Sequence, residues 1–301
     1  MNVRRGIPLA LGAGVLFGLS APLSKLIVAG MDPIALAGVL YLGAFMAVSV
    51  GRLFGVTRGL HSERLRRSDA PYVFTMIVVG GVLAPVLLMF GVRAASGFTA
   101  SLLLNLEGAT TALIAWVFFK ERVSGAVWGA VVLMTMAGVL LTGVTAVGRS
   151  SMVGPLLIVG AAIGWGVDNN VSARLSHCDP LILVSIKGLA AGLFSLALSW
   201  ATRGGLPTLG SFLAGLGLGC ISYGVSLVLF ILSLKAMGAA RTGAFFAVGP
   251  LAGALLSLIF FRSSFTWAMA VALLLTAASI ALVVGEGLRA DIQQQADQLT
   301  D

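Results

Sequence analysis

Residues 7–29 read IPLALGAGVLFGLSAPLSKLIVA, a stretch of 23 residues in which Lys25 is the one charge. A helix rises about 1.5 Å per residue, so roughly 20 apolar residues cross the hydrocarbon core of a bilayer. The stretch is too long for the apolar core of a signal peptide, and it lacks a clear small-x-small cleavage site. We therefore expect an uncleaved membrane helix, preceded by Arg4 and Arg5.

The same pattern recurs along the whole chain. Asp32-Pro33 ends the first apolar run, because the residue before a proline avoids helical geometry, and Arg203-Gly204-Gly205 and Arg262-Ser263-Ser264 mark further turns. The sequence thus predicts an all-α integral membrane protein with ten transmembrane helices. The predicted spans are 7–29, 34–54, 71–91, 97–119, 124–146, 153–175, 180–201, 210–234, 241–261 and 265–287.

Composition supports the membrane class. Of 301 residues, 58% are hydrophobic and 10% are charged, whereas roughly 25% are charged in soluble domains. The net charge of +8 does not indicate nucleic-acid binding, because the basic residues are scattered between apolar spans. Cys178 and Cys220 lie in different predicted elements and form no disulfide pattern. We expect the lipid bilayer and a small-molecule substrate as partners; the oligomeric state is left open.

The distribution of basic residues predicts the orientation. Positively charged loops translocate poorly, so lysine and arginine collect on the cytoplasmic side. With the N-terminus inside, thirteen of them lie on the inner side and five on the outer side. We expect both termini to be cytoplasmic in the inner (plasma) membrane, with a polar tail at 289–301. The inner residues are Arg4, Arg5, Arg52, Arg58, Arg64, Arg66, Arg67, Lys120, Arg122, Arg174, Lys235, Arg241 and Arg289, and the outer ones are Lys25, Arg93, Arg149, Arg203 and Arg262.

The two halves of the chain repeat each other. Phe17-Gly18-Leu19-Ser20 corresponds to Trp165-Gly166-Val167-Asp168, Asp32-Pro33 to Asp179-Pro180, and Phe118-Phe119-Lys120 to Phe260-Phe261-Arg262. The offsets stay between 142 and 148 residues. Because five is odd, the second half must insert upside down, which predicts two inverted five-helix repeats at 1–147 and 148–288. Such repeats, with a site at their interface, are typical of secondary transporters.

These features resemble the drug/metabolite transporter (DMT) superfamily, and within it the EamA-type ten-helix transporters. The resemblance spans the chain and includes a Gly-rich helix running into Asp-Pro and the segment Phe118-Phe119-Lys120-Glu121-Arg122. It implies a secondary transporter, in many members an exporter of amino acids or related metabolites. It also implies a cavity lined by helices one, three, four, six, eight and nine. Members of the family usually carry an acidic residue at the position of Glu121 in both halves. In this chain the second half has Ser263 at that position.

Polar residues inside the predicted spans identify a candidate site. A charge at the bilayer centre costs about 3 kcal/mol or more, so such residues usually mark substrate or proton pathways. Glu107, Asp168 and Lys187 lie within the fourth, sixth and seventh spans. We expect the two acids to line a polar cavity, where they bind an ammonium group or carry a coupling proton. The predicted substrate-binding residues are Asn105, Glu107, Trp165, Asp168, Asn169 and Tyr223.

Lys187 leaves two interpretations open. A lysine in an apolar helix needs a carboxylate, an aqueous cavity or the loss of its proton. Its partner is either Asp168 or Glu107, and such a pair can be purely structural, since breaking it is costly in either case. Two acids against one base leave one carboxylate over, which favours a functional role for the group.

Other classes of protein fit the sequence less well. A membrane enzyme needs a nucleophile with a base, or a metal constellation, at membrane depth, and His61 and His177 both lie in predicted loops. A channel usually shows a filter loop or a charged ring. No phosphate-binding Gly-x-x-x-x-Gly-Lys-Ser/Thr motif occurs, so we do not expect ATP to be the direct energy source. We also expect no cofactor. Uptake or efflux of amphiphilic amines or drugs stays open as the alternative within transport.

A local group of metal-ligating residue types occurs at His177-Cys178-Asp179. It lies in a predicted short loop, and no further ligand follows at a spacing that metal sites use. From the sequence we therefore expect no metal site.

The predicted orientation can be tested with a C-terminal reporter. We expect a fluorescent protein that folds only in the cytoplasm to fluoresce when it is fused after Asp301, because the basic loops hold both ends inside. The same reporter fused after Arg93, at the outer end of the third span, serves as the dark control. A periplasmic C-terminus would contradict the topology and the inverted repeat together.

Overall fold

The structure, a computed structural model, describes residues 3–54, 63–121, 123–147, 152–203, 207–261 and 265–300. Of Arg4 and Arg289 it describes the backbone alone. Several residues that the sequence analysis used lie outside the described residues, namely Arg58, His61, Arg122, Arg149, Gly204, Gly205, Arg262, Ser263 and Ser264.

Each of the ten predicted spans is helical in the described part of the chain. We number the helices in chain order: helix 1 (Val3–Gly18 and Ser20–Ile27), helix 2 (Pro33–Leu53), helix 3 (Arg67–Asp69, Ala70–Thr75, Met76–Leu83 and Ala84–Ala94), helix 4 (Gly97–Leu103 and Leu106–Phe119), helix 5 (Gly125–Val147), helix 6 (Val153–Arg174), helix 7 (Pro180–Arg203), helix 8 (Leu209–Gly219, Cys220–Val225 and Ser226–Met237), helix 9 (Ala239–Phe246 and Val248–Phe261) and helix 10 (Trp267–Thr300). Helix 10 continues through the predicted tail to Thr300.

The helices are those of an all-α integral membrane protein. Seven of them, helices 1 to 4 and 7 to 9, are long and apolar enough to cross a membrane. Helices 5 and 10 contain shorter apolar segments, Gly125–Leu140 and Trp267–Val283. Helix 6 has 22 residues, but the polar run Asp168–Asn170 interrupts its apolar sequence. The weakest hydropathy thus falls on the helix that carries the candidate acid.

Three helices are interrupted near their middle. Helix 1 is interrupted at Leu19, helix 4 at Leu104–Asn105 and helix 9 at Ala247. Asn105 and Ala247 occupy equivalent positions, 142 residues apart. In helices 1 and 9 a proline, Pro22 or Pro250, follows the interruption by three residues, and proline removes one hydrogen bond of the helical ladder. The interruptions therefore place irregular backbone at membrane depth, where it must be covered by protein.

Helices 3 and 8 each contain a π-helical segment, Met76–Leu83 and Cys220–Val225. The two segments begin 144 residues apart, within the range of the internal repeat. Each holds a glycine, Gly80 or Gly224. A π-helical turn shifts the hydrogen-bond register of the helix and is common at functional sites. The same irregularity is thus built into both halves.

Helices 1 and 9 cross through glycines. A Cβ atom on Gly18 would overlap the backbone oxygen of Gly249, and one on Gly249 would overlap that of Gly14. Gly253 faces Gly18 in the same way. Two Gly-x-x-x-Gly motifs therefore pack against each other, which lets the backbones approach more closely than any side chain would allow. This contact joins the first half of the chain to the second.

We expect Gly18→Ala to destabilise the protein by about 1–3 kcal/mol, the usual cost of overfilling a packed interface. The obstacle is a backbone atom, which cannot swing aside. Gly217→Ala is the matched control, because nothing lies within 4 Å of a Cβ atom at that position. Thermal unfolding of the two variants in detergent measures the difference. Equal melting temperatures would show that the helix 1–helix 9 contact is loose.

Candidate functional site

A narrow cavity lies between helices 1, 2, 4, 6, 8 and 9, with about 20 Å³ of space for the centre of a water molecule. Its wall combines two carboxylates, an amide and six aromatic rings. Its lining is Phe17, Tyr41, Glu107, Trp165, Asp168, Asn169, Tyr223, Leu227, Phe230 and Phe246. Helix 2 supplies Tyr41 to this lining, whereas no residue of helix 3, which the resemblance implied, is part of it.

Lys187 forms a buried ion pair with Asp168. Its Nζ atom donates to Asp168 Oδ2, and each residue is 3% exposed. The sequence left Asp168 and Glu107 as alternative partners, and the structure shows Asp168. The Lys187 ammonium also lies 5.8 Å from the centre of the Tyr41 ring, within range of a cation–π attraction. The pair thus joins helices 6 and 7 beside the cavity.

A second narrow cavity lies next to the ion pair, with about 10 Å³ of space for the centre of a water molecule. Asp168, Asn169, Leu227 and Phe230 line both cavities. Lys187 lines the second. The side chains of Asp168 and Asn169, backed by two apolar residues of helix 8, therefore form a partition between two small chambers.

One neutral donor, the amide of Asn169, holds the Glu107 carboxylate. Asn169 Nδ2 donates to Glu107 Oε1 and to Thr111 Oγ1, each at 3.0 Å, and the Thr111 hydroxyl donates to the backbone carbonyl oxygen of Glu107 at 2.6 Å. Glu107 also lies in the first turn of Leu106–Phe119, where the helix dipole favours a negative charge. The carboxylate is 5% exposed, so this network compensates its burial without a cation in direct contact.

The Gly80 carbonyl, in the π-helical segment of helix 3, accepts two hydrogen bonds. Tyr41 Oη donates to it at 2.7 Å and Trp165 Nε1 at 3.0 Å. A Cβ atom on Gly80 would overlap the carboxylate of Asp168. Glycine at this position therefore serves two contacts: its oxygen orients two aromatic side chains, and its missing side chain leaves room for the acid.

Aromatic rings pack around the cavity. Phe17 contacts Trp165, Tyr223 and Phe246, with ring centres 5.3, 5.7 and 5.2 Å apart. Phe17 and Trp165 are equivalent positions of the two halves, 148 residues apart, so this edge-to-face pair joins the repeats. Tyr223 Oη is buried and makes no well-formed hydrogen bond with a described residue, although Ser20 is close enough to interact with it. Its hydroxyl is available to a bound molecule.

Lys25 ties helix 1 to the end of helix 3. Its ammonium donates to the carbonyl oxygens of Val92, Arg93 and Ala95 at 2.8, 3.0 and 2.7 Å. The carbonyls of a helix C-terminus lack intrahelical partners, and a cation there is favourable. Lys25 therefore uses its three donors to cap helix 3, and it fastens the predicted outer ends of two helices together.

Most of the predicted site residues lie together in the structure, and one of them lies apart from the cavity. Glu107, Trp165, Asp168, Asn169 and Tyr223 line the first cavity, and Lys187 lies beside it.

Asn105, predicted to bind substrate, is the residue that lies apart from the cavity. It does not line the cavity: its Nδ2 atom donates to Thr276 Oγ1 of helix 10 at 3.3 Å. Successive helical residues turn by about 100°, so Asn105 and Glu107, two residues apart, project to nearly opposite sides. Asn105 thus contributes to the packing of helix 4.

The sequence analysis missed Thr111, Phe17 and Gly80. Phe17 could have been predicted from the internal repeat, because it occupies the position equivalent to Trp165. Thr111 lies one helical turn after Glu107, a spacing that places side chains on the same face. Gly80 acts through its backbone, which residue type does not reveal.

The chemistry of this cavity favours binding. None of its lining residues among those described is a histidine, cysteine or serine. It offers a carboxylate with neutral partners, a phenol hydroxyl and aromatic faces, which together suit a small molecule with a cationic group.

Comparisons with known proteins bear on the family and the fold of the chain. The EamA-like transporter family matches residues 4–144 and 152–285. An "Uncharacterized transporter" from Methanothermobacter thermautotrophicus is 27% identical over 270 residues, which cover 84% of this chain and 78% of that protein. A solved structure titled "Crystal structure of protein" is similar with a TM-score of 0.73 and 18% identity, over 95% of this chain and 98% of the other. That structural likeness bears on the fold alone.

The ion pair predicts a non-additive pair of substitutions. Lys187→Met should destabilise the protein by about 3–5 kcal/mol, because it leaves the Asp168 carboxylate buried and unpaired. Lys187→Met combined with Asp168→Leu should recover most of that loss, since both charges are then absent. Thermal unfolding in detergent of the two single variants, Lys187→Met and Asp168→Leu, and of the double variant measures the coupling.

The control cycle replaces Asp168→Leu by Glu107→Gln. Because Glu107 bonds Asn169 rather than Lys187, the losses from Lys187→Met and Glu107→Gln should be much closer to additive. Additive losses in the Asp168 cycle as well would mean that the pair is not coupled in solution.

Proposed function

The chain belongs to the EamA-like transporter family, and on that premise we propose that it is a secondary transporter whose substrate binds in the cavity between its two halves. The observation that carries the proposal is the cavity itself, enclosed by helices of both halves and lined by Glu107, Asp168 and Asn169. Ionisable residues at membrane depth commonly belong to substrate or proton pathways. A midplane site at the interface of repeats is the arrangement that such transporters use.

The proposed substrates are amino acids or related small metabolites, and the proposed direction is export. Glu107 would bind the ammonium group, because its present partners are neutral. The rings of Trp165 and Tyr223 would contact the rest of the molecule. Amphiphilic amines or drugs are the second candidate, since the aromatic wall and Glu107 suit them equally. A membrane enzyme is a third candidate from a different class, and turnover of a substrate without its movement would identify it.

The proposed mechanism is alternating access by the two inverted halves. The paired π-helical segments at Met76–Leu83 and Cys220–Val225, and the interruptions of helices 4 and 9, supply irregular backbone at matching places in both halves. Such segments absorb backbone rotation at lower cost than regular helix. In this structure Lys25 fastens the predicted outer ends of helices 1 and 3, so opening that side would require its three hydrogen bonds to exchange for water.

Uptake and efflux assays in proteoliposomes, with labelled amino acids and amines, test the proposal. For a transported substrate we expect Glu107→Gln to abolish or strongly reduce transport, and Asp168→Asn to change its rate or pH dependence. Both variants replace a carboxylate by an amide of the same shape. The matched control is Glu286→Gln on helix 10, outside the cavity. The Glu286 carboxylate accepts a hydrogen bond of 2.6 Å from Ser124 Oγ. The control should transport normally.

Two outcomes would contradict the site. Normal transport by both cavity variants at every pH would make the two acids structural. An equal loss in the helix 10 control would show that the loss does not depend on the cavity, so melting temperatures are measured on the same preparations to detect misfolding.

A further inference from the structure

Asp69, His177 and Cys178 form a cluster away from the cavity. One ligand atom of each lies within 4.8 Å of the others. Asp69 ends the short turn at the start of helix 3, whereas His177 and Cys178 lie in the loop between helices 6 and 7. A carboxylate, an imidazole and a thiol are thus brought together from two distant parts of the chain. These are the three side-chain types that bind zinc in proteins.

The histidine is oriented as a metal ligand would be. Its Nδ1 atom lies 2.9 Å from the Arg174 carbonyl oxygen, which can only accept, so Nδ1 carries a proton and the neutral form of the ring presents its lone pair at Nε2. Metal-binding histidines are usually fixed in this way by a carbonyl or carboxylate on the opposite ring nitrogen. His177 Nε2 faces Asp69 Oδ2 at 3.7 Å, which is too long for a hydrogen bond. Ligand atoms on a tetrahedral zinc ion lie about 3.3–3.7 Å apart, from bonds of about 2.0–2.3 Å.

The surroundings hold the cluster in place. Asp69 Oδ2 accepts a hydrogen bond from the Arg66 backbone at 2.8 Å, and the Glu63 backbone N–H donates to the His177 carbonyl at 3.0 Å. Cys178 is 1% exposed.

We propose that Asp69, His177 and Cys178 bind a divalent cation of the zinc type, with water as the fourth ligand. A thiol and an imidazole favour such a borderline-soft ion over magnesium or calcium, which take oxygen ligands. The sequence analysis set His177-Cys178-Asp179 aside for lack of further ligands. Asp179 caps helix 7 instead, since it accepts a hydrogen bond from the Leu181 N–H at 2.8 Å. The carboxylate of the cluster comes from Asp69 at the start of helix 3.

A bound cation would cross-link the start of helix 3 to the helix 6–helix 7 loop. These elements belong to different halves of the chain and lie at the predicted cytoplasmic end. Binding of the cation does not depend on the proposed function, so it is tested directly.

Cobalt(II) titration of the purified full-length protein in detergent provides the test. Cobalt replaces zinc in such sites, and a thiolate ligand produces a charge-transfer absorption together with intense visible bands from tetrahedral geometry. We expect both, with one equivalent of cobalt, and displacement by zinc. Cys178→Ser should abolish the charge-transfer band. His177→Gln and Asp69→Asn should weaken binding at least tenfold, the usual effect of losing a ligand or its support.

Cys220→Ser is the matched control, because Cys178 and Cys220 are the two cysteines of the chain, and it should leave the spectrum unchanged. A wild-type spectrum without a thiolate band would overturn the proposal, and this result does not depend on how well any variant folds. Loss of the band in Cys220→Ser but not in Cys178→Ser would overturn it as well. Asp69 and His177 would then form an ordinary ion pair.

Discussion

The buried ion pair of Lys187 and Asp168 constrains the middle of this molecule. A lysine in apolar surroundings is unfavourable by several kcal/mol, on the order of 3 or more, unless a counter-charge lies beside it. Meeting that requirement fixes helices 6 and 7 in one register. It also requires Gly80 on helix 3, because any side chain there would overlap the Asp168 carboxylate. The π-helical segment that presents Gly80 then places its carbonyl where Tyr41 and Trp165 bind it.

The two halves share one plan and differ at the site. Helix 1 crosses helix 9 where Gly18 lies against Gly249, and the equivalent crossing of helix 6 with helix 4 sets Gly166 against Thr110. The position equivalent to Gly249 in helix 4 is Glu107, 142 residues earlier. Gly249 of the second half allows two backbones to touch, whereas the equivalent position of the first half carries the carboxylate of Glu107. The residues that both halves share thus form the scaffold. The positions at which the halves differ provide the polar groups that an asymmetric substrate requires.

Hydropathy and the cost of buried charge predict the helices, their order and the acids of the cavity, because these are properties of local composition. Side-chain direction is harder to predict: Asn105 shares a span with Glu107, yet it turns toward Thr276. The role of Gly80 depends on a π-helical turn, which has no residue-type signature. Asp69 meets His177 through tertiary packing alone, so spacing along the chain could not reveal it.

Hydrogen bonding gives the two acids of the cavity different tasks. Asp168 already has a full counter-charge in Lys187, so a cation entering there must compete with a covalently tethered ammonium. Glu107 has the neutral amide of Asn169, and neutral donors compensate a buried carboxylate less completely than a cation does. A proton or a substrate ammonium therefore gains more free energy at Glu107 than at Asp168. Under the proposed function, Glu107 is the group that alternates between cations, while the Asp168–Lys187 pair keeps the partition between the chambers in place.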